Sequence, residues 1–193
     1  MALLYIVKYG QPVLRERAQE IEGDSPELQQ LIDDMFDTMY NAPGVGLAAP
    51  QVGVGKRLFV MDPSGQRNSP ESEPEVVMNP EVLEESAEDD TLEEGCLSLP
   101  GIKGEVFRPC TIRVKYLNRR FEAVERTLHD FHGRVFLHEL DHLNGRLFYD
   151  GYSIPRKTLL APSLMKIRHQ GEAELRGLRS ETQVPFPIRL PRS

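Results

Sequence analysis

An α+β fold is predicted by three stretches of the chain. Leu28, Leu31, Ile32, Met35, Phe36 and Met39 recur at helical spacing, and residues 129–144, HDFHGRVFLHELDHLN, repeat that period around Val135, Leu137, Leu140 and Leu143. Between them, residues 111–117 and 121–128 alternate apolar and polar side chains around a turn at 118–120. Strands joined by so short a turn run antiparallel.

The first helix is announced by Ser25 as N-cap and Pro26 at the first helical position, and should end near Asn41, where Ala42, Pro43 and Gly44 break it. Its methionines read as core filler. The glycine-rich segment 44–55, GVGLAAPQVGVG, lacks the Gly-Lys-Ser/Thr of a phosphate loop, and reads as backbone lying close to a ligand or as a turn into a strand at 58–61. Residues 62–74 are polar and turn-rich, which predicts an exposed loop of variable shape outside the chemistry.

Short β-leaning runs at 75–78 and 82–83 precede an acidic run ending in EEGCLSLPG, where Gly95 and Pro100 bracket Cys96. Beyond the second helix, 146–149 reads as a short strand and 155–180 as a helix interrupted at Pro162 with few apolar positions. The closing VPFPIRLPRS, part of a basic, proline-rich tail from about residue 181, reads as extended or disordered. Cys110 reads as a small buried residue.

A chain of 193 residues without internal repeats is expected to form a single catalytic domain. The absence of eighteen consecutive apolar residues argues against a membrane span, and MALLYIVKYG lacks the basic start of an export signal. Two cysteines speak against a disulfide scaffold and for a reducing compartment, so the cytoplasm is expected. The formal charge of −7 speaks against a general nucleic-acid binder, yet it is uneven: residues 1–152 hold 15 Lys+Arg against 27 Asp+Glu, residues 153–193 hold 8 against 3. A basic tail on an acidic body is either simply solvated or able to touch a polyanion such as RNA.

The second helix carries the chemistry. His138 and His142, four positions apart, stack on one face where both imidazoles can hold a single metal ion. Glu139, rotated by about 100° from His138, misses that ligand set but reaches a water beside it. This is the arrangement of metal-assisted hydrolysis. One group of zinc peptidases takes its third ligand from a His six positions after the second; here Phe148 stands there. The candidates left are His129, His132, a downstream carboxylate, or Cys96, whose thiolate is a strong ligand for borderline-soft ions. Asp141 either orients a ligand histidine or faces solvent.

GVGLAAPQ at 44–51, EGCLS at 94–98 and HELDH at 138–142, in this order and spacing, resemble the three signature motifs of peptide deformylases. The YGQPVLR opening at 9–15 and the helix from Pro26 fit as well, so the resemblance extends over roughly residues 5–155. It implies antiparallel β-sheets around the metal-binding helix, and removal of the formyl group from N-formylmethionine at the start of new bacterial polypeptides. Carried over motif by motif, Cys96, His138 and His142 would be the ligands of one Fe²⁺, for which Zn²⁺, Ni²⁺ or Co²⁺ substitutes. Glu139 would be the general acid/base, and Gln51 with the backbone N–H of Leu97 would hold the oxyanion. The backbone of Val45, Gly46 and Gly95 would pair with the nascent peptide, and its methionine side chain would enter a pocket near Val45, Leu92, Val135 and His138.

The chain departs from the family pattern at Leu137, where Gln is usual before the first metal His, and at Lys103, where many members have Arg. A monomer is expected, with no membrane or specific nucleic-acid partner beyond a transient ribosome contact through the basic C-terminal region. Two other readings remain open on sequence: a metallopeptidase cleaving internal amides, and a catalytically silent homologue that binds nascent chains or the ribosome.

Overall fold

The computed structural model describes residues 2–65, 67, 69–182 and 186–190. Five antiparallel strands form the main sheet in the order β2 (Gly46–Ala48), β3 (Leu58–Met61), β4 (Glu75–Glu85), β7 (Thr111–Leu117) and β8 (Ala123–His129). Helix α1 (Pro26–Asn41) covers one face and α2 (Asp130–Leu143) the other. Side chains alternate across the sheet accordingly. Leu58, Val60, Val76 and Met78 join Leu31, Ile32, Met35 and Met39 of α1, while Phe59, Met61 and Val77 join Val135, Phe136 and Leu137 of α2. With both faces covered, β3 reads as an unbroken apolar run.

The caps of α1 are as expected. Ser25 accepts from Leu28 N at 3.2 Å, Pro26 opens the helix, and it closes at Asn41. Leu137 packs in the apolar layer at 8% exposure, so the position where the family commonly has Gln is occupied by core. Gly145, at φ +70°, ends the reversal that follows α2, and its place beside the Arg15 carbonyl leaves no room for a side chain.

Several elements differ from expectation. The two β-leaning runs at 75–78 and 82–83 are one strand, β4, bulged past Pro80 so that the proline sits at a register shift. The loop after β3 is less free than its composition suggests: the fully buried Asp62 carboxylate accepts from Tyr40 Oη at 2.6 Å, Ser72 Oγ at 2.7 Å and Glu73 N at 3.3 Å. The acidic run is a strand, β5 (Asp89–Gly95), paired with β6 (Lys103–Pro109) as a separate hairpin. Residues 146–149 form no strand; a 3₁₀ turn at Phe148–Gly151 replaces it, closed by Leu147 N donating to Asp150 Oδ2 at 2.8 Å.

Helix α3 (Ile154–Thr182) runs through the exposed Pro162 without interruption, and it buries a stripe of Leu164, Ile167, Gly171 and Leu175. The chain's end is not loose where it is described. Arg189 and Leu190 form β9 against Leu4 and Leu3 of β1 (Leu3–Leu4), Ile188 is buried, and Arg189 Nε donates to the buried Asp34 at 3.1 Å. The remainder of that segment, 183–185 and 191–193, lies outside the described residues. Cys110 sits half-buried at the junction of β6 and β7. No helix among the described residues is long and apolar enough to cross a membrane.

Candidate metal centre

Helix α2 presents His138 and His142 one turn apart, with ring centroids 5.2 Å from each other. Gly95 ends β5, and the next residue brings Cys96 Sγ to 3.2 Å from His142 Nε2. One ligand atom from each of Cys96, His138 and His142 lies within 4.8 Å of the other two, close enough to share one ion. Among the open candidates for the third ligand, this settles where the side chains are. His129 is exposed and bonds Thr111 Oγ1, while His132 bonds Glu75 at 2.6 Å on the far side of α2's first turn.

Burial and charge fit the donor set to a cation. His142 is 1% exposed and its basicity is lowered well below the ordinary value, by burial first and then by the neighbouring positive groups His138 and Arg108. Burial also opposes protonation of His138, but hydrogen bonds to Cys96 and Glu94 outweigh it and hold its pKa at about 10. Binding a divalent ion among these groups would therefore displace the proton of His138, while His142 already offers a neutral ring. Glu94 Oε2 accepts from His138 Nδ1 at 2.9 Å, which leaves Nε2 as the nitrogen for a metal once the ion displaces its proton.

Glu139 stands beside this cluster at 4% exposure, and its Oε2 is buried without a hydrogen-bond partner. Burial pushes its carboxyl up to about 7, against the charges of His138 and Arg108. An unpaired buried carboxylate oxygen next to a set of metal ligands is a place for a water whose proton it can take. Gln51, in the 3₁₀ turn after β2, accepts from Ala48 N at 2.8 Å through Oε1, so its Nε2 points to Cys96 Sγ at 3.5 Å. Leu97 follows Cys96 directly, and its carbonyl accepts from Lys8 Nζ at 3.4 Å.

A cleft of about 630 Å³ opens on this cluster. Val45, Gly46, Gln51, Gly95, Cys96, Leu97, Val135, His138 and Glu139 all line it. Leu92 does not; it is 42% exposed on β5, and Phe131 of α2 stands in the lining instead. Lys103 is on the rim, 3.4 Å from Glu93. The edge strand β2 and the hairpin strand β5, each paired on one side only, flank the opening.

Sequence reasoning missed the ions behind the cluster. Glu94 accepts from Arg108 Nε at 2.6 Å and Nη2 at 2.9 Å, from Arg134 Nη1 at 2.8 Å, and from His138. Burial would raise its carboxyl, but the His138 and Arg108 hydrogen bonds hold it at about 2. Asp141 pairs with Arg108 at 3.0 Å and orients no histidine. The one local signal was Arg134, a charge placed one turn before His138 on a helix face otherwise lined by Val135 and Leu137.

A helix with two imidazoles and a carboxylate, met by a cysteine thiol in an open cleft, defines a metal-dependent hydrolase. The profile of the polypeptide deformylase family matches residues 3–158. Peptide deformylase of Thermotoga maritima is 46% identical over 159 residues, which are 82% of this chain and 93% of that one. The peptide deformylase of Christiangramia forsetii is 41% identical over 175 residues, 86% of this chain and 89% of its own. The crystal structure of a peptide deformylase from Legionella pneumophila, 39% identical, superposes with a TM-score of 0.80 over 88% of this chain and 97% of that one. The chain belongs to the polypeptide deformylase family. It is an amide hydrolase that depends on a metal and removes the N-formyl group of nascent peptides.

Proposed function

We propose that deformylation is carried out by Glu139 beside one Fe²⁺ held by Cys96, His138 and His142, in one domain of a monomeric cytoplasmic enzyme. The meeting of the Cys96 thiol with both helix imidazoles, beside the unpaired Glu139 carboxylate, carries this reading. When bound, the ion supplies Lewis acidity to a water and a carbonyl oxygen. Glu139 accepts the proton of the attacking water and passes it to the departing amine nitrogen. Gln51 Nε2 and the Leu97 N–H donate to the oxygen where negative charge develops, each contribution on the order of a few kcal/mol.

The substrate lies as an extended strand between β2 and β5, its main chain bonded to Val45, Gly46 and Gly95. Such pairing reads backbone and tolerates many sequences. Its methionine side chain sits against Val45, Phe131, Val135 and His138. A thiolate with two imidazoles accepts iron, zinc, nickel and cobalt alike, and Fe²⁺ is the assignment for the native ion. The purified protein, prepared without oxygen, should contain about one iron per chain by elemental analysis and should release formate from formyl-Met peptides. Cleavage of unformylated peptides at internal amides, or activity unaffected by removing the ion with a chelator, would contradict the proposal.

We also propose that α3 makes a transient ribosome contact. Lys166, Arg168, Arg176 and Arg179 are exposed along it, outside the buried stripe of Leu164, Ile167, Gly171 and Leu175. Co-sedimentation with ribosomes should be present at low salt and lost as salt screens these charges; equal pelleting of the variant carrying Glu at all four positions would remove this contact.

A further inference from the structure

The ligands of the cluster come from two separate parts of the fold. His138 and His142 ride on α2, which is packed into the main sheet, whereas Cys96 opens the turn that joins β5 to β6, a two-stranded sheet of its own. From one side the Cys96 loop is fixed by Tyr9 N donating to Ser98 O at 3.0 Å. Toward α2 a set of hydrogen bonds and ion pairs spans the gap, and Arg134 is at its centre.

We propose that Arg134 is a positioning residue that sets the distance between the Cys96 thiolate and the two imidazoles. Its side chain, 5% exposed, lies one turn before His138. It reaches across the gap to three acceptors on the hairpin: Glu94 Oε1 at 2.8 Å, Val106 O at 2.9 Å and Asp90 O at 2.8 Å. The carbonyls belong to opposite strands, so one planar guanidinium pins both β5 and β6 to the helix. Glu94, two residues before Cys96, then passes the restraint to His138 Nδ1. Arg108 supplies a parallel tie by joining Glu94 to Asp141 on the last turn of α2.

The ion network is thus a spacer between ligand-bearing parts. Lysine cannot reproduce it: a single ammonium lacks the fork that meets a carboxylate and two carbonyls on different strands. The inference rests on the ligand set assigned above. Its test is Co²⁺ titration of metal-free protein, following the near-ultraviolet thiolate-to-cobalt charge-transfer band, with competition against a chelator to obtain affinity.

In Arg134→Met, which keeps the apolar stem, affinity should fall about 10–100-fold, the size found when groups orienting metal ligands are lost. The charge-transfer band should weaken or shift. Arg134→Lys should recover only part of either, and it decides alone if the Met variant does not fold. A clamp that merely stabilised the fold would lower the thermal midpoint of metal-free protein while leaving the affinity and band of the folded fraction as in the parent; that result overturns the proposal. A parent protein lacking the band altogether would instead remove Cys96 from the ligand set, and the spacer role with it.

Discussion

Replacing Glu139 by Gln should lower kcat by about 10²–10⁴-fold, the usual worth of a positioned general acid/base, while the protein still binds one equivalent of Co²⁺. Glutamine has the volume and shape of the carboxylate, so the packing against Gly46 and the ligands on either side of it are preserved. What is lost is the ability to accept a proton from water and return it to the amine. KM should change little if, as proposed, the substrate main chain pairs with β2 and β5 and its side chain meets the cleft-lining Phe131 and Val135, since none of these contacts involves the Glu139 carboxylate. Steady-state formate release and Co²⁺ stoichiometry measured on the same preparation check this. Full activity in the variant would move the proton transfer to another group, and loss of the ion would make Glu139 a ligand.

The parts of the fold that were legible in the chain are those decided locally. Ser25 and Pro26 start α1 through their own side chain and ring, and the period of Leu31, Ile32 and Met35 needs only one buried face. The His138–His142 pair was legible because a single helical turn brings it together. Cys96 was one of several candidate ligands by residue chemistry, and only the motif order singled it out, since its approach depends on a loop 46 residues away from His142.

What was not legible was decided at long range. Strand β5 looks like an acidic loop because Asp89, Asp90 and Glu93 are exposed on an edge hairpin, where charge is tolerated, and its single inward acid, Glu94, is satisfied by Arg134 forty residues on. The proline-flanked end looked disordered because its partner in pairing is the first strand of the chain, Leu3 and Leu4. The stripe on α3 was diluted by charge, and Leu92 was placed near the pocket by family resemblance, whereas it stands 42% exposed on β5 outside the cleft lining.

Gly46→Ala should cost about 10²-fold in kcat with little loss of fold, and the reason is space. A methyl group at this position would come within 2.8 Å of Glu139 Cδ and 2.9 Å of Cγ, nearer than carbon atoms approach. Gly46 has no left-handed backbone to defend, and it pairs in register with Met61, so alanine fits the strand itself. The strain falls on the carboxylate, which is walled in at 4% exposure and must shift by a sizeable fraction of an ångström. Displacement of a reacting group by about 1 Å is enough for a loss of that order. A double-mutant cycle separates this cause from a second one, loss of main-chain pairing between Gly46 and the peptide. If the collision is responsible, Gly46→Ala added to Glu139→Ala should slow the residual reaction no further, because the truncated side chain leaves room for the methyl. If the penalty persists at full size in the Glu139→Ala background, Gly46 acts through the substrate strand and the tight fit against the carboxylate is incidental.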